Sequence, residues 1–447
     1  LKIEFKKAVY MGNNEEKKCQ LAVIGSGMAG VAASSFASCR GVETIMVGGA
    51  SELSFATGCL DLFGASPFTG KKDYINPWKG IDSLLNINSA HPYSNLPIDS
   101  IMSAFSEFSG FLSSSGLGFH SRFNKNSFII TPAGTLKPTF AISSSMAAGS
   151  DAVTGKKRIL IAGIKGLKGF CPDLISSGLK KYNIDSRAGI IEFPGKENHS
   201  ELNCERMAWD LDTGNVFELF AHSIESLVTN EEVVGIPAVL GIYNSEKLRK
   251  SLEKRLNMPV FEIPVFSPSV TGLRFKERAF EKLREKGVSI FQNTKIKNIE
   301  RDEDKNFVFN IENSFKSYKV KAENLILASG RFFGGGLVSS GRKISESLMD
   351  IDITQSENWY EKDFFSSHGH EITRCGIKTD RFFRPVDDAG NIYDQNLYAA
   401  GSILANQDWK REKSGSGIAL TSAYAAVSAL SRSLWSSPGK IKKEEVA

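Results

Sequence analysis

An apolar strand, Leu21-Ala-Val-Ile, runs through Gly25-Ser-Gly27-Met-Ala-Gly30 into Val31-Ala-Ala-Ser-Ser-Phe-Ala, a helix built from small residues. This G-x-G-x-x-G turn between strand and helix is the arrangement that cradles a phosphate in dinucleotide and flavin sites. Gly25 permits the tight turn, Gly27 lets backbone N–H groups approach an anion, and Gly30 lets helix and strand pack closely, with the helix N-terminus facing the ligand. Such an opening requires a doubly wound α/β sheet around it.

The next strand, Thr44-Ile-Met-Val47, ends in Gly48-Gly49. An Asp or Glu at that point would hold the adenosine ribose of a dinucleotide through its hydroxyls. Glu43 lies before the strand and Glu52 well after it. The reading therefore leans away from NAD and from a conventionally bound FAD. It leaves FMN as the expected cofactor, with FAD as the alternative.

The chain has 447 residues, 41% of them hydrophobic and 23% charged, enough for a large core divided over two domains. The pattern predicts α/β architecture: a Rossmann-type flavin-binding domain over 18–134 and 267–432, interrupted by a smaller α/β domain at 135–266. Residues 1–17 read as an N-terminal extension, since Leu1 stands in place of Met and Met11 precedes the first strand, and 433–447 reads as a charged tail. Within the insertion, Arg158-Ile-Leu-Ile-Ala162 is a buried strand. Helices are predicted near 173–182, 215–228 and 245–256, with strands at 187–193, 233–236 and 260–263. The sequence Gly163-x-x-Gly166-x-x-Gly169 reads as a plain strand-to-helix connection, because its first glycines are three apart and Pro172 follows. After a helix over 271–286, strands at 307–312 and 316–321 form a hairpin before Asn324-Leu-Ile-Leu-Ala328. A strand at 396–400 and a long helix from Ser416 to about Arg432 complete the pattern.

Several function classes drop out. A net charge of +5 with scattered basic residues gives no footprint for nucleic acid. The cysteines at 19, 39, 59, 171, 204 and 375 lack the close spacing of iron–sulfur or zinc sites. His368 and His370 lack a third ligand type nearby, so no metal is expected. The low cysteine density fits a reducing cytoplasm. No apolar run approaches the ~20 residues that cross a bilayer, so any membrane contact is expected through a partner.

Other segments suit a flavin. Ser54-Phe-Ala-Thr57-Gly58-Cys-Leu-Asp61 is a small-residue loop placed where the chain crosses the carboxyl ends of the strands, with Asp61 either touching the ribityl chain or capping a turn. Gly330 to Gly336 allows close backbone approach or simply makes a wide turn. Gly401 and Ser402 end the last strand. Gly415-Ser-Gly417 opens the last helix, whose N-terminus could stabilise the reduced ring.

These blocks, with Ala90-His91-Pro92-Tyr93-Ser94, Thr131-Pro-x-Gly134-Thr-Leu136, Pro268-Ser-Val-x-Gly272-x-Arg274, Leu327-Ala-Ser-Gly330-x-Phe-Phe, Trp359-Tyr-x-x-Asp363-Phe-Phe365 and Arg384-Pro385, resemble the B-subunit of anaerobic glycerol-3-phosphate dehydrogenase over nearly the whole chain. The resemblance implies an FMN-binding protein paired with an FAD-containing A-subunit and an iron–sulfur, membrane-anchoring C-subunit. Together these oxidise sn-glycerol 3-phosphate to dihydroxyacetone phosphate and reduce a membrane quinone, at the cytoplasmic side of the inner membrane.

Oxidising a secondary alcohol needs a base, and a phosphate substrate needs cations. His91, Arg274 and Arg384 are the candidates, each with a structural alternative as a turn residue or an internal ion-pair partner. Two other readings stay open: a self-sufficient flavin oxidoreductase of the fumarate-reductase type, and a scaffold that has lost its flavin.

Overall fold

A computed structural model describes residues 15–49, 52–70, 74–197, 199–296, 298–312 and 316–436. The expected extension and charged tail therefore lie largely outside the described residues. Where they are described, they differ from expectation. Strand β1 (Glu15–Ile24) begins inside the expected extension, with Glu15 to Lys17 registered against Tyr318 to Val320. The last helix runs from Gly415 to Ser436.

The larger sheet has eight strands. Its parallel part runs, in spatial order, Ser289–Gln292, β2 (Thr44–Gly48), β1 and Ser317–Leu327, with Leu397–Ala399 beyond. Leu21, Ala22, Val23, Leu325 and Ile326 are fully buried because both faces of these strands are covered. Helix α1 (Met28–Cys39) lies on one face, and Ala29 to Ala37 are all buried. Its small side chains let it lie close to the sheet and to helix Gly415–Ser436, whose Tyr424 meets the Phe36 ring edge-on at 5.2 Å.

The sequence separates 316–321 from the strand beginning at Asn324, but the structure fuses them. Ser317–Leu327 pairs antiparallel with Phe307–Glu312 and parallel with β1. Asn324 does not break the strand, because it is buried and its amide donates to Gln20 O at 3.1 Å.

A second sheet carries four parallel strands in the spatial order Val260–Ile263, Val233–Pro237, Ile159–Ile164, Ser186–Ile191. Numbered along the chain and read from the opposite edge this is 2-1-3-4, a doubly wound order, and it has a core of its own that includes Ile161, Phe220, Val234 and Phe261. The central strand Ile159–Ile164 is buried throughout. Helices Ala147–Gly155 and Cys204–Thr213 go unread in the sequence. The first is short and glycine-containing, and the second depends on an Asn203 cap whose Oδ1 accepts from Glu205 N and Arg206 N. A boundary at 134/135 falls inside the turn of a hairpin, Ser127–Ile130 with Leu136–Thr139, where Gly134 takes φ +71°.

The two sheets are joined through helix Val270–Glu285. Ser269 caps it, donates from N to Ser54 O at 3.2 Å, and donates from Oγ to Ala56 O at 3.0 Å. The start of this helix thus braces the Ser54–Gly58 loop.

Candidate functional site

Glycine-rich segments leave the carboxyl ends of β1, Ser317–Leu327 and Leu397–Ala399, and they converge. A Cβ on Gly25, which takes φ +124°, would sit 2.0 Å from Ala328 O, and one on Gly30 would sit 1.9 Å from Gly25 O. Both positions need glycine for packing. Gly27 differs, for nothing lies within 4 Å of where its Cβ would be. It precedes α1 and no side chain caps that helix, so the first-turn amides face a space suited to an anion. Gly401, at φ +81°, brings its backbone against Ala29, and Gly330, at φ +73°, lies beside Ser402. The expected residues Gly25, Gly27, Gly30, Gly330, Gly401 and Ser402 thus share one edge of the sheet.

Two observations test this edge as a cofactor cradle. The space beside Gly27 would be filled by any larger residue, and the Ser329 hydroxyl is buried with no partner. Both fit a phosphate-bearing group that accepts hydrogen bonds. Gly48, at the end of β2, is closed, however, while Gly49 after it is open. A Cβ on Gly48 would lie 2.5 Å from Ser26 Oγ, so the usual ribose-holding carboxylate has no room there.

The other expected positions lie farther along. Gly58, at φ +79°, packs on Thr271, with partly buried Thr57 just before it. Gly417 N donates to Asp61 O at 2.6 Å, and a Cβ on Gly417 would be 2.3 Å from the Tyr93 hydroxyl. A Cβ on Gly415 would meet the Trp409 ring at 3.0 Å. The glycines at the start of the last helix therefore seat it on the Asp61 segment, and the Gly417 amide is already engaged.

The three candidates for acid–base and phosphate chemistry, His91, Arg274 and Arg384, each have partners within the fold. His91 is fully buried. Its Nδ1 accepts from Tyr93 N at 3.1 Å, which leaves Nε2 to donate to Glu412 Oε2 at 3.2 Å. Burial works to raise the Glu412 carboxyl, but the His91 contact, the Asp408 amide and Ser414 together hold it below its ordinary value. Arg274 is buried and gives its donors to Glu262 and to the carbonyls of Gly241 and Leu240. Arg384 pairs with Asp380 at 2.6 Å and reaches Gln395 within one turn region. Each residue is paired within the fold, and no hydrogen bond or ion pair among the described residues links the three directly.

Two residues, Arg331 at this edge and Lys137 beside Asp61, escape a reading made for glycines. Arg331, next to Gly330, donates to the carbonyls of Ser402 (2.6 Å), Leu404 (3.1 Å), Gln407 (3.2 Å) and Thr373. Among the described residues no carboxylate pairs with it directly, and burial pushes its pKa down. It fastens the segment after Gly401 to the end of strand Ser317–Leu327. Lys137, in the hairpin, donates from Nζ to Asp61 Oδ2 at 2.6 Å. The one available signal is position: Arg331 is the unspecified residue after Gly330 in its motif block, and Lys137 directly follows the block Thr131–Leu136. Among the described residues no cluster of three or more His, Cys, Asp or Glu could hold a metal ion, and no helix is long and apolar enough to cross a membrane.

Comparison with known proteins bears on the same residues. Residues 20–418 match the FAD binding domain family. The chain is 30% identical over 420 residues to the B-subunit of anaerobic glycerol-3-phosphate dehydrogenase from Vibrio vulnificus (strain CMCP6), covering 91% of this chain and 95% of that one. It is 28% identical over 431 residues to the probable B-subunit from Halobacterium salinarum, covering 93% and 98%. Among solved structures, 3-ketosteroid delta1-dehydrogenase from Sterolibacterium denitrificans aligns over 93% of this chain and 100% of its own at 10% identity, with a TM-score of 0.42.

Sheet, glycine turn and family match define a flavin-dependent oxidoreductase with a Rossmann-type flavin-binding fold. The match supports a flavin, FAD most directly, and does not support the sequence expectation of FMN as the primary flavin. Within that class, the chain belongs to the family of anaerobic glycerol-3-phosphate dehydrogenase B-subunits.

Proposed function

We propose that this chain is the flavin-carrying electron-transfer component of a quinone-linked anaerobic glycerol-3-phosphate dehydrogenase. In this reading a partner A-subunit, itself carrying FAD, oxidises sn-glycerol 3-phosphate to dihydroxyacetone phosphate. An iron–sulfur C-subunit receives the electrons and anchors the assembly at the cytoplasmic face of the inner membrane. The observation that carries the reading is the convergence of Gly27, Gly330 and Gly401–Ser402 at one sheet edge in a chain of this family. A bound flavin would supply two-electron uptake coupled to transfer onward. Gly27 and the start of α1 would hold its phosphate, while Gly330, Ser329 and Ser402 would line its approach. His91, Arg274 and Arg384 are all engaged in structural pairs, which supports a relay whose partner performs the acid–base step.

The closed position at Gly48 makes the identity of the flavin the first thing to measure. Cofactor released from anaerobically purified protein is identified by absorbance and mass. About one FAD per chain supports a dinucleotide whose adenosine is held away from Gly48, and FMN would mean that the adenosine contact is lost altogether. A chain that holds no flavin after reconstitution refutes the proposal. Oxidation of glycerol 3-phosphate by the isolated chain with an artificial acceptor would refute the relay role and favour a self-sufficient oxidoreductase.

A further inference from the structure

The block Trp359-Tyr-x-x-Asp363-Phe-Phe365 lies in a stretch, 355–370, that forms no helix or strand. Structureless connections in a compact domain seldom exceed ~12–15 residues unless they serve a function. This one is nevertheless held in shape by its own hydrogen bonds. His370 Nδ1 accepts from Glu361 N at 3.0 Å, which leaves Nε2 to donate to Phe364 O at 2.9 Å. Asp363 Oδ1 accepts from Phe365 N at 3.0 Å, and Gly369 N donates to Ser366 O at 3.0 Å. At its base Ile372 N donates to Trp359 O at 2.9 Å, and Arg411 donates to His368 O at 2.6 Å.

The face this frame displays is apolar. Tyr360, Phe364 and Phe365 are 76%, 77% and 87% exposed, and the Phe364 and Phe365 rings meet edge-on at 5.1 Å. Trp359 turns the other way and packs against the main core. Rings fixed in water forgo the burial that drives folding, and neighbouring exposed aromatics are the composition of an interface core.

Charge says what covers them. Between and beside the rings stand Glu357, Glu361 and Asp363 against one cation, Lys362, and all four are exposed. Among the described residues none of the four is in an ion pair, the neighbouring cations Arg374 and Arg411 being paired with Glu371 and Asp408. An anionic membrane surface would repel this loop, and two copies meeting loop to loop would set carboxylate against carboxylate. A basic protein face complements both the rings and the carboxylates.

Resting on the reading of this chain as one component of an assembly, we propose that the 355–370 loop docks a partner subunit, Phe364 and Phe365 entering an apolar socket ringed by lysine or arginine. Aromatic side chains seated in a desolvated pocket carry most of the affinity of such an interface, while the surrounding charges set encounter rate and register. His370, bonded to both Glu361 and Phe364, fixes the rings in advance and so lowers the ordering cost of docking.

The full chain, loaded with flavin, is titrated by sedimentation with the purified A- and C-subunits of its own assembly. Phe364→Ser combined with Phe365→Ser is expected to weaken binding to one of them at least about a hundredfold. Because both rings are exposed, its melting temperature and flavin content stay at the parent's values. Glu361→Lys combined with Asp363→Lys weakens the same contact about tenfold and flattens its salt dependence. If the serine variant binds as the parent does, this proposal is overturned and the functional reading stands; a parent that binds neither subunit overturns both. Charge-reversed protein that binds as tightly as the parent overturns the basic socket. Two further results overturn the partner subunit as occupant: flotation of the parent, but not of the serine variant, with phosphatidylglycerol vesicles, or self-association of the parent alone that the serine variant abolishes.

Discussion

Arg274 and Glu262 meet in a two-pronged ion pair, Nη1 to Oε2 at 2.7 Å and Nη2 to Oε1 at 3.1 Å, with side chains only 4% and 0% exposed. The arginine belongs to the helix that braces the Ser54–Gly58 loop, and the glutamate to the edge strand Val260–Ile263 of the second sheet. This pair pins the two sheets together.

Removing one partner strands a buried charge, and Arg274→Met is expected to cost about 3–5 kcal/mol. Arg274→Lys recovers only part, since a lysine cannot serve the carboxylate and the Gly241 carbonyl with the same fork. Denaturant midpoints at neutral pH check both variants. A loss below about 1 kcal/mol for the methionine variant would show that the pin carries little of the stability.

The pin also marks the limit of what the sequence discloses. Periodicity and turn chemistry place strands such as Phe307–Glu312 and Val260–Ile263 and the helix Ser245–Leu256 at their observed bounds, because local patterns record which faces are buried. Gly25 and Gly30 are legible for the same reason, each answering a local packing demand that Gly27 does not share. Arg274 is legible as a candidate cation but not as a pin. Its partner Glu262 is close in the chain yet belongs to another sheet, and burial is a property of the assembled fold. Arg331 and Lys137 are harder still, since their partners Ser402 and Asp61 are distant in the chain and brought near only by the assembled fold.

The turn glycines separate packing from ligand contact. Gly25→Ala forces a Cβ into Ala328 O at a φ of +124°, and the chain is expected to be insoluble or to melt far below the parent. Gly27→Ala meets no protein atom within 4 Å, so its melting temperature should stay close to the parent while flavin affinity falls at least about tenfold, as backbone approach to the phosphate is blocked. Thermal melts with flavin titration make the comparison. Equal flavin binding by Gly27→Ala would place the phosphate elsewhere.

Acid sensitivity is expected in the second sheet through Glu231. Burial works to raise this carboxyl, but Arg187 at 2.8 Å and the Thr229 amide at 2.9 Å hold it at about 2. A carboxyl depressed in the folded state stabilises above its unfolded value near 4.5 and loses that contribution as pH falls toward 2. Because Arg187 is 44% exposed, the contribution is discounted to roughly 2 kcal/mol. Glu231→Gln should be less stable than the parent at about pH 6 and nearly equal to it at about pH 2.5. A stability gap that does not narrow on acidification removes Glu231 as the source.

Thiol reactivity should follow burial. Cys39 and Cys171 are exposed, whereas burial pushes Cys19 up to about 12 and Cys59 up to about 11. Iodoacetamide at about pH 8 is expected to modify Cys39 and Cys171 within minutes and to leave Cys19 and Cys59 unmodified until the chain unfolds. Peptide mass mapping over time reads this directly. Early alkylation of Cys59, whose Sγ lies 3.5 Å from Met146 Sδ, would mean that the loop carrying Asp61 opens in the native state.

Arg331 supplies the prediction that bears most on the flavin edge. Its guanidinium binds carbonyls from Ser402 to Gln407 and from Thr373, so several backbone acceptors depend on one side chain. Arg331→Met leaves those carbonyls unpaired and also removes a buried positive charge; Arg331→Lys keeps the charge but cannot span the acceptors with three rotatable N–H groups. The methionine variant is expected to lose flavin at least about tenfold more readily, with reduced flavin affected more than oxidised because the lost charge favours electron-rich ligands. The lysine variant should lose flavin from the loosened carbonyl cage without that bias. Hydrogen exchange at residues 401–407 distinguishes the two contributions: faster exchange in both variants reports the lost cage, and a redox bias confined to methionine reports the lost charge. If neither variant changes exchange or flavin retention, the segment after Gly401 is held by Gln407, whose amide donates to Ser402 O at 3.2 Å and Leu404 O at 3.1 Å, and Arg331 is dispensable to the cradle.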